Sequence, residues 1–313
     1  MTSMPFRSAV LAFGVVASLQ SSPLRAQATA ASVGTLIVAH GGGPSWDGRV
    51  DSLAAAVRTG GPVAVSLLMG PGATTHRFQD AVARLVAQGA RAIIVVPLFV
   101  SSHSDHIEQV RYLAGATDSL SEMMHHHLAA AGITRPVSPV PMRVTAALDD
   151  APQLARVLTD RARALAVAPG NRALFLIGHG PNSAEEHAAW MQKLRPVADS
   201  VAKWAGFRDV KVGLVRDDAP AAVRAEAVLQ IRETIRLQHA LTGELVVVVP
   251  ILISAGTVSR DKIPADLAGL SVIYDPAPLL PHPAIAEWVA ARVRLAPEGD
   301  RQTGASARPH SHR

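Results

Sequence analysis

The chain has 313 residues, of which 49% are hydrophobic, 18% are charged and none is cysteine, and its formal net charge is +5. This composition supports one or two globular domains with substantial cores. It excludes a disulfide framework, a thiolate metal site and a catalytic thiol. The arginines are scattered with few aromatic residues among them, which argues against nucleic-acid binding and favours an anionic small molecule.

The first 28 residues have the pattern of a secretory signal peptide. Arg7 precedes an apolar run from Ala9 to Leu19, and residues 26–28 form an A-x-A cleavage site. The run is shorter than the ~20 residues that a membrane-spanning helix needs. We therefore expect an exported, periplasmic or extracytoplasmic protein with no transmembrane segment. The polar residues 296–313 predict a disordered tail.

Apolar runs alternate with helical patterns through residues 33–168. The runs "TLIVAHGGG", "PVAVSLLMG" and "RAIIVVPLFVS" are separated by helical patterns over Asp47–Arg58 and in "HRFQDAVARLVAQGA". Apolar runs without alternation predict parallel strands that are covered on both faces. The strand-helix-strand order predicts a doubly wound, flavodoxin-like α/β/α domain.

The same order restarts after Pro169, through residues 171–295. "ALFLIGHGPNS" echoes "TLIVAHGGGPS", and "ELVVVVPILIS" echoes "RAIIVVPLFVS". These matched landmarks predict a tandem duplication that folds as an internal pseudo-dimer of two α/β domains. The first repeat also contains an extra segment, roughly Asp118 to Pro136, with the sequence "EMMHHHLAAAG".

A histidine follows the first strand of each repeat, at His40 and His179. A glycine comes after each of them and allows the backbone to turn tightly. Because ligands bind outside the carboxyl ends of the strands in open α/β sheets, both histidines are placed at the binding edge. His179 is the second-repeat equivalent of His40.

The third strand of the first repeat runs into "SSHSDHIEQV". This strand is expected beside the first one, which brings His103 or His106 across a crevice from His40. Two neutral imidazoles with Asp105 or Glu108 nearby suit Co²⁺, Ni²⁺, Fe²⁺ or Zn²⁺, and they can also accept protons at neutral pH. The alternative is structural, because a strand-end histidine often only caps a helix or binds a backbone carbonyl.

The extra segment contains two methionines and three consecutive histidines. His125, His126 and His127 point in three directions on a helix, which predicts a solvated helix end unless the segment folds over the crevice. Met123 and Met124 are expected in the core rather than as copper ligands.

Other chemistries have weaker patterns. The chain has no G-x-G-x-x-G or P-loop motif, which predicts that no nucleotide cofactor binds. It has no G-x-S-x-G elbow, so an extracytoplasmic hydrolase that uses Ser101, Ser102 or Ser183 is the weakest alternative.

With these motifs the chain resembles the class II tetrapyrrole chelatases, specifically the sirohydrochlorin cobaltochelatase (CbiX-like) group related to ferrochelatase. The resemblance covers nearly the whole chain after the leader. It rests on the strand-His-Gly openings at His40 and His179 and on V-P-[LI]-x-[VI]-S around Pro97 and Pro250. "SDHIEQV" also resembles the histidine-bearing segment of ferrochelatases. Val258 stands where the second repeat of that family would carry a histidine.

The resemblance implies ATP-independent insertion of a divalent metal (cobalt, nickel or iron) into a sirohydrochlorin-type tetrapyrrole. His40 and His106 would be metal ligand and base, and His103, Asp105 and Glu108 would support them. Metal entry requires two pyrrole protons to leave, which suits neutral histidines beside carboxylates.

Two further expectations accompany this reading. Arg77, Arg111 or Arg143 are candidates to hold the carboxylates of the macrocycle. The alternative function is an exported, non-enzymatic protein of the same fold that binds a metal or a tetrapyrrole, which the export signal and Val258 favour.

Overall fold

The computed structural model of the chain describes residues 32–166 and 169–296. The predicted signal peptide, and all of the predicted tail after Ala296, lie outside these residues. Within the described part, no helix combines the length and the hydropathy that crossing a membrane requires.

The first half of the chain builds one parallel sheet. Its elements are β1 (Val33–Ala39), α1 (Pro44–Ala56), β2 (Val63–Leu67), α2 (Phe78–Ala87), β3 (Ala92–Pro97), α3 (Asp105–Leu113), α4 (Glu122–Ala130), β4 (Met142–Val144) and α5 (Pro152–Leu165). The strand order is β2-β1-β3-β4. Ile37 of β1 aligns with Val65 of β2 and with Val96 of β3. The strands β1, β2 and β3 are almost entirely apolar because helices cover both faces of the sheet.

The second half builds a sheet with the same strand arrangement. Its elements are β5 (Ala173–Gly178), α6 (Ala184–Ala205), β6 (Asp209–Leu214), α7 (Ala221–Thr242), β7 (Val246–Ile251), α8 (Ile263–Leu267), β8 (Val272–Tyr274) and α9 (Pro283–Leu295). The strand order is β6-β5-β7-β8, and all pairs are parallel. The prediction of two doubly wound α/β sheets is therefore confirmed.

The last helix of each half packs on the sheet of the other half. Helix α5 contacts β7, and helix α9 contacts β3 and α1. Arg156 of α5 pairs with Glu287 of α9, and Arg161 of α5 donates to the carbonyl of Pro278. The two sheets consequently share buried side chains in one core, and the carboxyl ends of their strands open onto one cavity.

The extra segment of the first half forms helix α4. The side chain of Ser121 accepts a hydrogen bond from the backbone N–H of Met124 and so caps the start of the helix. Helix α4 packs against α3. Between β7 and β8, where the first half has α3 and α4, the second half has one turn of π-helix (Val258–Lys262) and the short α8. The two halves differ most in this segment after the third strand.

Candidate functional site

A cavity of about 710 Å³ lies at the carboxyl ends of the strands and is lined by residues of both halves. His40 and His106 line it from the first half, and His179 and Asp218 line it from the second. Its volume is in the range of small-molecule sites, roughly 300–1,000 Å³. The two strand-end histidines, His40 and His179, therefore share one cavity.

His40 is positioned by the turn that follows β1. Gly41 has a φ of 90°, and a Cβ atom there would lie 2.1 Å from the carbonyl oxygen of Met69. Only glycine fits this turn. The Nδ1 atom of His40 lies 2.6 Å from the carbonyl oxygen of Gly41. A carbonyl only accepts, so Nδ1 carries the proton and Nε2 keeps a free lone pair.

His106 is positioned by the first turn of α3. Its Nδ1 atom lies 2.9 Å from Oε1 of Gln109. The Gln109 side chain is completely buried, and its Nε2 atom donates to the carbonyl of Met124 in α4 at 3.3 Å. Because the amide nitrogen is used there, Oε1 faces His106 and accepts the proton on Nδ1. His106 thus also has a free lone pair on Nε2.

The two imidazoles contact each other edge to face. The ring centroids of His40 and His106 are 4.9 Å apart, and the ring of Phe99 stacks on His106 at 5.7 Å. Burial lowers the pKa of both histidines from the ordinary value of 6.5, and the proximity of His40 lowers the pKa of His106 further. Both rings are therefore neutral at pH 7, the form that ligates metal ions.

The other predicted residues of this segment separate into two groups. Asp105 lines the cavity beside His106. His103 and Glu108 are exposed and do not line it. Glu108 lies about 200° around the helix from His106. His103 precedes the helix, and its carbonyl accepts a hydrogen bond from the indole of Trp190.

The second half places a different pair on the cavity wall. Nδ1 of His179 lies 2.8 Å from the carbonyl oxygen of Gly180, and Nε2 lies 3.3 Å from a carboxylate oxygen of Asp218. Burial lowers the pKa of His179, but the hydrogen bond to Asp218 and the nearby carboxylates outweigh burial, so that the pKa is raised overall. The sequence reasoning missed Asp218, although "LVRDD" directly follows β6 at the same edge of the sheet.

Asp217 brings a second carboxylate to this wall. One ligand atom from each of His179, Asp217 and Asp218 lies within 4.8 Å of the others, a spacing that a metal ion tolerates. The Asp217 side chain is only 2% exposed and pairs with Lys262 at 2.6 Å and with Arg224 at 3.1 Å. Two cations already neutralise Asp217, which makes this cluster a poorer place for a dication than the His40–His106 pair.

The charges around the cavity favour a cation. Among the described residues, four carboxylate side chains line it: Asp105, Glu186, Asp217 and Asp218. Lys262 is the one lysine in this lining, which contains no arginine. The three arginines proposed to bind the macrocycle do not line it: Arg77, Arg111 and Arg143. Arg77 pairs with Asp80, and Arg143 donates to the carbonyl of Ala296.

The CbiX family model matches residues 34–165. This stretch contains β1, β3 and α3. It therefore includes His40, His106 and the Gln109 side chain that orients His106. The similarity to the CbiX family model therefore covers the first half of the chain. The CbiX-like, class II chelatase resemblance is thereby confirmed. No curated protein matches the chain significantly.

Solved chelatase structures share the fold over most of the chain. SirB from Bacillus subtilis with Fe³⁺ is 16% identical and has a TM-score of 0.60, with 87% of this chain and 98% of that chain covered. The sirohydrochlorin chelatase SirB from Bacillus subtilis subspecies spizizenii, in complex with cobalt, is 16% identical with a TM-score of 0.58, and the covered shares are 87% and 97%. CbiX, the terminal enzyme for siroheme biosynthesis in denitrifying bacteria, is 18% identical with a TM-score of 0.52 and shares of 84% and 99%. At these identities the likeness concerns the fold alone.

Proposed function

We propose that this protein inserts a divalent metal ion, which is cobalt, nickel or iron, into a sirohydrochlorin-type tetrapyrrole without a nucleotide. One observation carries the proposal. His40 and His106 are neutral, lie in edge-to-face contact and keep their Nε2 lone pairs free in a cavity that the carboxyl ends of two parallel sheets form. The cobalt and Fe³⁺ held in the SirB structures support the choice of metals.

The chemistry requires one metal ion to enter while two protons leave. The metal replaces the two pyrrole N–H protons, so the overall charge is balanced when both protons reach solvent. An imidazole Nε2 lone pair suits either task, because it ligates a borderline metal ion and accepts a proton near neutral pH. We assign His40 and His106 to metal binding and to the first proton transfer.

Carboxylates near the pair provide a path for the protons. Asp105 lies in the wall next to His106, and Asp218, whose side chain is 66% exposed, lies at the solvent side of His179. The same carboxylates attract the incoming cation. They repel the carboxylates of a macrocycle, which must therefore extend out of the cavity toward solvent.

The excess of carboxylates over cations in the wall favours a second candidate. A non-enzymatic protein of the same fold would take up the metal ion at the His40–His106 pair and hold it without turnover. The acidic wall supports this candidate because it attracts a metal ion with or without a tetrapyrrole.

We also propose that the protein acts outside the cytoplasm. The A-x-A site that ends at Ala28 supports cleavage before Thr29. N-terminal sequencing of protein from the periplasmic fraction should begin at Thr29, whereas full-length protein in the cytoplasm would contradict export.

A spectrophotometric assay tests the function. The mature chain from Thr29 is mixed with sirohydrochlorin and Co²⁺, Ni²⁺ or Fe²⁺, beside His106→Ala and the matched control His103→Ala. Multiple turnovers that the His106→Ala variant loses and the His103→Ala variant keeps support the enzyme. Uptake that stops at one metal per chain supports the binding protein. A wild-type chain that neither binds nor turns over would overturn both.

A further inference from the structure

Helix α4 distinguishes the two halves and forms part of the cavity wall. Three of its side chains line the cavity: Met123, Met124 and His127. They occupy helix positions i, i+1 and i+4, so one face of the helix carries two thioethers and one imidazole toward the cavity. The extra segment therefore folds over the crevice. His127 is the residue of the histidine run that lines the cavity.

These side chains reach from solvent into the wall. Met124 is 4% exposed, as expected for a core residue, whereas Met123 is 59% exposed and does not lie in the core as the sequence predicted. The hydrogen bond from Gln109 to the carbonyl of Met124 anchors the helix beside His106.

Two polar atoms in this wall are buried without a hydrogen-bond partner among the described residues. They are Nδ1 of His127 and Oγ of Ser104, and both residues line the cavity. Buried polar atoms are nearly always paired. Of these two atoms, Nδ1 of His127 is the one that a soft cation would satisfy.

The donor set defines the chemistry of that species. Thioether sulfur is a soft ligand that favours Cu⁺ and similar cations, and imidazole binds the same ions. Hard ions such as Mg²⁺ and Ca²⁺ require oxygen ligands. We propose that Met123, Met124 and His127 form a second metal site on the cavity-facing side of α4 that captures a soft cation of the Cu⁺ class.

This site is separate from the His40–His106 pair in both ligands and preferred metal. The capture site contributes sulfur and lies partly in solvent, whereas the histidine pair contributes two imidazole nitrogens from half-buried side chains. The inference does not depend on the proposed chelatase reaction, because metal uptake at α4 needs no tetrapyrrole.

The test uses Ag⁺, a redox-stable probe with the charge and softness of Cu⁺, in chloride-free buffer. All variants of the mature chain carry His310→Ala and His312→Ala, so that the two tail histidines do not bind the probe. The double variant Met123→Leu/His127→Ala is compared with the matched control Met191→Leu/His126→Ala. The control removes a thioether and an imidazole that do not line this cavity. Leucine and methionine have similar volumes, which preserves the packing.

The inference predicts that Ag⁺ affinity, measured by isothermal titration calorimetry, falls at least about tenfold in the Met123→Leu/His127→Ala variant. It predicts an unchanged affinity in the control. Equal losses in both variants, or no loss in either, would overturn it. If circular dichroism shows that the double variant does not fold, His127→Gln alone replaces it with the same expectation.

A second pair of titrations separates this inference from the proposed function. His40→Ala/His106→Ala should lose Co²⁺ uptake and keep Ag⁺ uptake. Loss of the Ag⁺ site in that variant contradicts a separate capture site. Wild-type Ag⁺ binding without any tetrapyrrole turnover overturns only the proposed chelatase reaction.

Discussion

The two halves of the molecule present the same histidine with different partners. His40 and His179 each follow the first strand of a sheet with the same strand order, and each Nδ1 atom binds the carbonyl of the next residue. His40 then meets the imidazole of His106, whereas His179 meets the carboxylate of Asp218. The pKa of His40 is lowered by burial, whereas the hydrogen bond to Asp218 raises the pKa of His179.

The difference arises from the segment after the third strand of each half. In the first half this segment begins α3 and delivers His106 to the cavity, and α4 then supports it through Gln109. In the second half the equivalent segment is a π turn that delivers Val258. The first half therefore presents two neutral imidazoles to the cavity, and the second half presents a histidine that is paired with a carboxylate.

The largest effect is expected from removing an imidazole of the first half. His40→Ala or His106→Ala should lower the turnover of metal and sirohydrochlorin by about 10²- to 10⁴-fold, because each removes a metal ligand and a proton acceptor. The spectrophotometric assay measures this loss. His103→Ala should change turnover little because its side chain is exposed and outside the cavity. Equal losses for His103→Ala and His106→Ala would contradict the assignment.

An intermediate effect is expected at Gln109. Gln109→Leu removes the acceptor for Nδ1–H of His106 and frees the ring to rotate or change tautomer. Co²⁺ affinity should fall by about 10- to 100-fold. Titration with Co²⁺ measures the affinity, and the ¹⁵N shifts of His106 report the tautomer. Glu108→Gln, on the exposed face of the same helix, is the control, and an unchanged tautomer in Gln109→Leu would refute this positioning role.

The smallest effect is expected at Asp218. The pKa of His179 is raised above 6.5, so the pair stabilises the fold below pH 6.5 and loses that contribution as the pH rises through the folded value. The pKa of Asp218 is lowered below 3.8 by the hydrogen bond to His179, so its contribution disappears as the pH falls through that value. Asp218→Asn should therefore destabilise most between about pH 4 and 6.5, by about 1 kcal/mol or less, since the carboxylate is largely exposed.

Urea unfolding of the wild type and of Asp218→Asn at pH 5.5 and at pH 8.5 measures this difference. Asp209→Asn, whose carboxylate pairs with Lys211 rather than with a histidine, is the control variant. A destabilisation by Asp218→Asn that is larger at pH 8.5 than at pH 5.5 would be inconsistent with the His179–Asp218 pair.

The sequence was sufficient to predict the centres of the two sheets because β1, β2, β3, β5 and β7 are nearly continuous apolar runs, and strand ends in parallel sheets meet at one edge. It also placed His40 opposite the segment that holds His103 and His106. It did not choose between these two, because the choice depends on where α3 begins. It missed Gln109 and Asp218, since polar residues on a helix face or in a loop give no sign of their partners until the packing is known.

A crystal structure of the mature chain with Co²⁺, with diffraction recorded at the cobalt absorption edge, would show directly where the metal ion binds. We expect a cobalt peak within ligand distance of Nε2 of both His40 and His106. A peak at His179, Asp217 and Asp218, with the first-half pair empty, would contradict the assignment of metal binding to the first half.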